Sequence, residues 1–131
     1  MILGFDPGKD KCGIAVMGRD KKVCYHQVVL SEAAISTIQS LCEQFPIELL
    51  VMGDQTTSKS WKQKLTQSLS PEIEIVRVDE RFSSLEAKER YWEMYPPTGI
   101  SRLIPQGMRT PPRPVDDIVA IVLIERYLKK S

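Results

Sequence analysis

The sequence predicts an α/β fold, in which helices flank a sheet that contains both antiparallel and parallel strands. Two observations lead to this prediction. Three strand-like apolar runs follow one another at the start of the chain, with turn-forming residues between them. Further along, short apolar runs alternate with segments of helical periodicity. The length of 131 residues suffices for one hydrophobic core, so a single domain over residues 1–131 is expected.

The elements follow the order βββαβαβαα. Turn sequences at 6–8 and 18–21 make a meander of the first three strands. Helices separate the later strands, which implies right-handed crossovers and parallel pairing. The run 47–53 is almost continuously apolar, as is typical of a buried parallel strand. The predicted strands are 2–6, 12–18, 22–30, 47–53 and 73–78, and the predicted helices are 31–44, 59–69, 83–94 and 116–129.

Local signals predict where two of the helices begin. Ser31 is expected to cap the first helix, which ends before Pro46. Ser83 and Glu86, three residues apart, fit a capping box at the start of the third helix. Each signal places a side-chain acceptor where the first backbone N–H groups of a helix lack partners.

Composition and charge exclude several classes of protein. Hydrophobic residues make up 42% of the chain and charged residues 27%, the profile of a soluble globular protein. No apolar run has the length of a membrane span and no signal peptide is visible, so we expect a cytoplasmic protein with no membrane partner. The net charge of +1 argues against a protein that coats nucleic acid through charge alone. Three cysteines without a CxxC pair and a single histidine argue against zinc and disulfide sites.

Five carboxylates stand at the ends of apolar runs, where acids are rare unless they are paired or bound to metal. They are Asp6 after 1–5, Asp79 and Glu80 after 73–78, and Asp116 and Asp117 before 118–124. If the strands 2–6 and 73–78 are parallel neighbours, Asp6 and Glu80 share one edge of the sheet. A helix that begins at Asp116 can reach the same point. Three converging carboxylates would form a site for a hard cation such as Mg²⁺ or Mn²⁺.

Two polar segments are candidates for contact with a substrate. The segment 95–114 contains six prolines and three arginines, Arg102, Arg109 and Arg113, and has no acid. We expect it to be a substrate-contacting loop, with an inert linker as the alternative. The helix 59–69 is preceded by hydroxyl residues that could cradle a phosphate together with free backbone N–H groups and a lysine. These residues are Thr56, Thr57, Ser58 and Lys59. The alternative is simple capping by Ser58, with Trp61 anchoring the helix to the core.

Three motifs, in this order and spacing, resemble the YqgF and RuvC-like branch of the RNase H superfamily. They are Ile2-Leu3-Gly4-Phe5-Asp6-Pro7-Gly8, Val78-Asp79-Glu80-Arg81-Phe82-Ser83-Ser84-Leu85-Glu86-Ala87 and Val115-Asp116-Asp117-Ile118-Val119-Ala120. The resemblance covers nearly the whole chain. It implies an RNase H-like fold, with a five-stranded mixed sheet flanked by helices. It also implies a metal-dependent catalytic triad, which by position is Asp6, Glu80 and Asp116.

The branch comprises Holliday junction resolvases and nucleases of precursor ribosomal RNA. The resemblance therefore implies an endonuclease that hydrolyses phosphodiesters with Mg²⁺ or Mn²⁺. The leading expectation is a Holliday junction resolvase that acts on branched DNA in recombination and repair. Such an enzyme is expected to be a homodimer, because symmetric cutting of a four-way junction needs two active sites. The alternatives are a nuclease that processes precursor ribosomal RNA, and a catalytically silent nucleic-acid-binding module.

The acids and the arginine next to the triad have more than one possible role. Asp116 and Asp117 both remain candidate metal ligands, but adjacent helical residues point about 100° apart, so only one is expected to face the metal. Asp79 is expected to serve a local turn or ion pair. Arg81 either clamps a phosphate or pairs with nearby acids. Asp54 is an additional acid that the family pattern does not contain.

Overall fold

The structure is a computed structural model that describes residues 1–55, 57–105, 108 and 110–130, with the backbone alone at 100, 101 and 130. It contains the five strands and four α-helices that the sequence predicts, with bounds shifted by at most three residues. The strands are β1 (Ile2–Asp6), β2 (Lys11–Met17), β3 (Val23–Leu30), β4 (Leu49–Gly53) and β5 (Glu74–Val78), and the helices are α1 (Ala34–Gln44), α2 (Ser58–Ser68), α3 (Ser83–Met94) and α4 (Asp116–Lys130). Short 3-10 helices cover Ser31–Ala33 and Gly99–Leu103.

The five strands form one mixed sheet in the order β3-β2-β1-β4-β5. The meander β1-β2-β3 is antiparallel, whereas β4 runs parallel to both β1 and β5. This arrangement confirms the predicted α/β fold with its mixed sheet. None of the helices in the described part of the chain is long and apolar enough to cross a membrane.

The sheet buries both of its faces. One face packs against α3 and α4, and the other packs against α1 and α2. α4 is buried along residues 118–124, and among the strands it contacts β2 and β1 most extensively. Gly4 on β1 permits this close approach, because a side chain there would collide with the carbonyl oxygen of Ala120.

The strands that precede Asp6 and Glu80 run parallel, but they are not the direct neighbours that the sequence argument supposed. β4 lies between β1 and β5. The physical reason lies in the burial of the two strands. Every residue of β4 is buried, as a central strand requires, whereas β5 is half-exposed and takes the edge of the sheet.

Both predicted helix caps are also absent from the structure. Ser31 begins a 3-10 helix instead, and its hydroxyl donates a 2.8 Å hydrogen bond to the carbonyl of Gly8. α3 is preceded by Phe82 in a left-handed conformation (φ 61°), without a side-chain cap. Glu86, the expected partner of the capping box, instead accepts a 2.6 Å hydrogen bond from Arg126. A charged partner of this kind binds a carboxylate more strongly than a neutral backbone N–H does.

Candidate active site

Asp6 and Asp116 come together where α4 begins. Asp6 is the last residue of β1, and its ladder partner on β2 is Gly13. Because side chains alternate along a strand, Asp6 lies on the same face of the sheet as Ile2 and Gly4, the face that α4 covers. A side chain at Gly13 would collide with the backbone of Asp116. The first turn of α4 therefore lies directly on the residue that pairs with Asp6.

Glu80 reaches the same region across β4. β5 ends at Val78, whose ladder partner on β4 is Gly53. The carboxylate of Glu80 lies over Gly53, where a side chain would collide with it. The backbone N–H of Gln55 donates a 2.7 Å hydrogen bond to Oε1 of Glu80. Because Gly53 has no side chain, Glu80 has the space to extend over β4.

The electrostatics of the three acids show that they influence one another. Burial, together with the nearby carboxyls of Asp116 and Glu80, raises the pKa of Asp6 from 3.8 to about 7. Burial also raises the pKa of Asp116, with a further contribution from Asp117 and an opposing one from Lys11. A buried acid flanked by two other carboxyls is an unfavourable arrangement in the absence of a cation. Strongly shifted pKa values of this kind are typical of functional sites.

Burial raises the pKa of Glu80 as well, although several neighbours modify the shift. The hydrogen bond from Gln55 lowers it, as does the charge of Arg126, whereas Asp54 and Asp79 raise it. Asp54 is the additional acid that departs from the family pattern, and the structure places it close enough to Glu80 to affect its ionisation. The site therefore contains a fourth carboxylate near the three that the motifs indicate.

A cavity of about 490 Å³ opens beside the acids. Its lining includes Asp6, Asp54, Glu80, Arg81 and Phe82. Asp6 and Glu80 supply carboxylate oxygens, which are the ligands that Mg²⁺ and Mn²⁺ prefer. The donor chemistry thus fits a divalent cation. Among the residues that the structure describes, no three histidine, cysteine or acidic side chains are grouped closely enough to hold a metal ion as they stand.

Arg126 on α4 forms hydrogen bonds with the segment that carries Glu80. Its Nη1 donates a 2.7 Å hydrogen bond to the carbonyl of Asp79, and its Nη2 donates one of 2.7 Å to the carbonyl of Arg81. Asp79 in turn accepts a 2.9 Å hydrogen bond from the backbone N–H of Arg81 and pairs with its guanidinium at 3.1 Å. This confirms the local turn and ion-pair role predicted for Asp79, and shows that Arg81 pairs with that acid.

Asp117 makes a separate set of contacts from Asp116. It is 2% exposed, and its Oδ2 accepts a 2.7 Å hydrogen bond from Nδ1 of His26. Its Oδ1 accepts a 3.0 Å hydrogen bond from Arg113. The hydroxyl of Tyr95 lies 3.1 Å from Nε2 of His26. Protein groups therefore engage both carboxylate oxygens of Asp117, and Arg113 supplies one of these contacts.

The structure separates the candidate phosphate-binding residues. Ser58 is 1% exposed and its hydroxyl lies 3.3 Å from Nη1 of Arg77, so it faces the interior. Thr57 and Lys59 are exposed at the start of α2. Arg102 is exposed in the 3-10 helix Gly99–Leu103, whereas Thr56 and Arg109 lie outside the described residues. Trp61 packs edge-on against Phe5, with 5.2 Å between ring centroids, which confirms that it anchors α2 to the core.

Three contributors to this site were not predicted from the sequence. Gly13 and Gly53 are strand glycines, and a glycine inside a strand often marks the close approach of another group, so a signal for both was present. Arg126 lies in the amphipathic pattern of α4 and has no such signal. Its role depends on which carbonyls the fold brings to it, and a sequence pattern does not contain that information.

The chain is similar to proteins that act on nucleic acids. The family model described as "RuvX: Holliday junction resolvase" matches residues 1–130. A protein of Azobacteroides pseudotrichonymphae genomovar. CFP2, named "Putative pre-16S rRNA nuclease", is 29% identical over 140 residues, which cover 98% of this chain and 95% of that protein.

Two solved structures are also similar to the chain. RuvC of Thermus thermophilus has a TM-score of 0.54 and 14% identity, and the match covers 93% of this chain and 88% of that one. This likeness shows the RuvC-like, RNase H-like fold. A "putative sugar kinase" from Cytophaga hutchinsonii ATCC 33406 has a TM-score of 0.48 and 14% identity, with 70% of this chain covered. The chain spans 39% of the length of that kinase.

Proposed function

The chain belongs to the RuvX family, and from that premise we propose that it is a metal-dependent endonuclease that processes precursor ribosomal RNA. One observation carries the hydrolytic part of the proposal. Asp6, buried at the end of β1 with a pKa of about 7, is flanked by the carboxyls of Glu80 and Asp116. A divalent cation is the partner that would relieve the mutual repulsion of three acids and hold them ionised at neutral pH.

Asp6, Glu80 and Asp116 are the residues that would hold Mg²⁺ or Mn²⁺. When bound, such ions lower the pKa of a coordinated water and stabilise the charge on the leaving oxygen of a phosphodiester. The protein contributes orientation. Asp6 projects from a central strand, the N–H of Gln55 fixes one oxygen of Glu80, and the rigid start of α4 presents Asp116. Asp6 and Asp116 thus stand on a strand and a helix, which hold side chains more precisely than loops do, whereas Glu80 lies in the connection between β5 and α3.

The rim of the cavity is suited to a nucleic acid. Phe82 exposes 76% of its surface beside Glu80, and Arg81 is also exposed there. Unpaired bases stack on aromatic rings and on arginine planes, a common feature of RNA recognition. Thr57, Lys59 and Arg102 are exposed, and a phosphate could reach them. Their contact with the substrate stays a prediction.

The substrate assignment rests on the relative that matches almost the whole chain. That protein is named as a nuclease of precursor 16S ribosomal RNA, and the match covers 98% of this chain. Branched DNA, the leading expectation from the sequence, becomes the second candidate. It is favoured by the description of the family model as a Holliday junction resolvase. An RNA nuclease needs one active site, whereas a resolvase needs two, so a monomer in light scattering would favour the RNA.

A panel of labelled substrates tests the proposal. Wild-type protein and Asp6→Asn would be incubated with RNA spanning an end of precursor 16S ribosomal RNA, with a four-way DNA junction and with linear duplex DNA, each with Mg²⁺, Mn²⁺ or a chelator. We expect wild-type protein to cut the precursor RNA only with metal, and Asp6→Asn to leave it intact. Preferential cutting of the junction would support the second candidate. No cutting of any substrate would favour a binding module.

A further inference from the structure

We propose that Arg126 is a positioning residue for the active site, because its guanidinium holds both carbonyl groups that flank Glu80. The proposal rests on the proposed function, in which Glu80 is a metal ligand. The hydrogen bonds are 2.7 Å to the carbonyl of Asp79 and 2.7 Å to the carbonyl of Arg81. The side chain of Arg126 is 20% exposed, so these bonds are partly shielded from water.

The other hydrogen bonds of the segment that Arg126 holds do not tie its backbone to α4. The N–H of Arg81 donates to the carboxylate of Asp79, the N–H of Ser83 donates to the carbonyl of Glu80, and the N–H of Gln55 donates to the side chain of Glu80. Residues 79–82 join the end of β5 to the start of α3, and Phe82 leaves the segment in a left-handed conformation. For a residue with a side chain this conformation costs about 1–2 kcal/mol. Phe82 is 76% exposed, so packing of its ring does little to compensate. The two carbonyl contacts with Arg126 therefore restrain the backbone on both sides of Glu80 relative to α4.

The geometry of an arginine is essential to this role. A guanidinium is planar and carries several N–H donors in a fixed arrangement, so it can bind two separate carbonyls and a carboxylate at once. Nη2 of Arg126 also donates to Oε1 of Glu86 at 2.6 Å. A lysine could keep the ion pair with Glu86, but its compact ammonium lacks the fork that spans both carbonyls.

α4 thereby connects two parts of the active site. Asp116 lies at its first residue and Arg126 lies ten residues further along, a distance of about 15 Å at 1.5 Å per residue. The helix is anchored on the sheet at Gly4 and at Gly13. One rigid element therefore presents Asp116 directly and sets the position of Glu80 through Arg126.

The alternative is that Arg126 merely joins α3 to α4 through Glu86. The chain offers a matched control for this possibility. Arg90 on α3 also bridges the two helices, through a 3.3 Å contact with Glu125 on α4, and it pairs within α3 with Glu93 at 3.7 Å. Arg90→Gln removes ion pairs of the same kind, and Glu86→Gln removes the charge that pairs with Arg126 while leaving both carbonyl contacts in place.

The test compares Arg126→Gln and Arg126→Lys with Arg90→Gln, Glu86→Gln and Glu80→Gln. Three quantities are measured on each full-length protein: the affinity for Mn²⁺ by calorimetry, kcat and KM on a substrate that the wild type cuts, and amide hydrogen exchange at 79–83. Both Arg126 variants should lose about 10- to 100-fold in kcat or in Mn²⁺ affinity, as is usual when a group supporting a metal ligand is removed. Their exchange at 79–83 should accelerate, whereas KM should change little. Arg90→Gln and Glu86→Gln should stay within about twofold of the wild type.

Three results would overturn the proposal. If both Arg126 variants retain wild-type kcat, Mn²⁺ affinity and exchange while Glu80→Gln is inactive, Arg126 has no positioning role although the proposed function stands. If Glu86→Gln loses as much as Arg126→Gln, the ion pair between the helices accounts for the effect. Should Glu80→Gln itself retain activity and Mn²⁺ affinity, the proposed function loses Glu80 as a ligand, and the positioning role is overturned with it. Arg126→Lys keeps the test decisive if Arg126→Gln fails to fold.

Discussion

Replacing Asp6 with asparagine should stabilise the metal-free protein at alkaline pH, even though it should abolish activity. Asparagine has nearly the same shape as aspartate but carries no charge. The folded protein raises the pKa of Asp6 to about 7 from an ordinary value of 3.8, through burial and through the carboxyls of Asp116 and Glu80. Ionising Asp6 therefore costs more free energy in the folded state than in the unfolded state, which lowers the free energy of unfolding.

The magnitude and its sign follow from the two pKa values. A difference between 3.8 and about 7, at 1.36 kcal/mol for each pH unit, gives an upper limit of about 4 kcal/mol. Because the folded-state pKa is the higher one, the folded protein holds the proton more tightly. The resulting stability is complete below about pH 4 and is lost as the pH rises to about 7. Asp6→Asn has no proton to lose here, so its advantage over the wild type should grow across this window.

Urea denaturation at pH 4.5 and at pH 8, with a chelator present, measures this difference. The control is Asp10→Asn, which changes an exposed acid in the turn between β1 and β2. We expect Asp6→Asn to exceed the wild type by up to about 4 kcal/mol at pH 8 and by much less at pH 4.5, with Asp10→Asn close to the wild type. Adding Mn²⁺ should stabilise the wild type but not Asp6→Asn. Equal pH dependence in the three proteins would refute the reasoning.

Three further predictions concern neighbours of the site. Asp116→Asn should abolish metal-dependent cleavage at little cost in stability, whereas Asp117→Asn should keep activity but lose about 3 kcal/mol in denaturation, because it breaks a buried charged cluster. Gly53→Ala should reduce kcat severely, because the added methyl group displaces the carboxylate of Glu80. The control in the cleavage assay is Gly18→Ala, which adds a methyl group in a turn away from the site. Phe82→Gly should be about 1 kcal/mol more stable than Phe82→Ala in urea denaturation, because glycine adopts a positive φ without strain.

Each of these predictions has a clear contrary outcome. An active Asp116→Asn protein together with an inactive but stable Asp117→Asn protein would exchange the roles of the two residues. Wild-type kcat in Gly53→Ala would show that Glu80 need not lie over β4. Equal stability of the glycine and alanine variants at position 82 would mean that the backbone there is not strained in solution.

The fold could be predicted from the sequence because hydrophobic periodicity and turn residues report directly on strands and helices. Strand order was harder. The apolar run 47–53 predicts a buried strand, and the structure confirms it. The sequence does not show that this strand lies between β1 and β5, which only the structure reveals. The predictions of the two helix caps were wrong for a related reason. Ser31 and Glu86 have the residue types that cap helices, but each found a partner distant in the sequence.

The candidate site shows the same division between local and distant information. Acids at the ends of apolar runs drew attention to Asp6, Glu80 and Asp116, and the structure places all three on the α4 face of the sheet or at its rim. Asp117 has one partner nearby, Arg113 four residues before it, but its other partner, His26, lies 91 residues away in the chain. A sequence read without structure cannot pair such residues, because their types alone are compatible with many partners.

The most direct test of the account is the location of bound Mn²⁺. Crystals of the protein grown or soaked with Mn²⁺ would be measured for anomalous scattering, with Asp6→Asn crystals as the control. The account predicts an anomalous peak coordinated by a carboxylate oxygen of Asp6 and by Glu80 or Asp116, and no such peak in the variant. A wild-type protein that cuts its substrate with Mn²⁺, but shows its metal only at sites away from Asp6, would contradict the account.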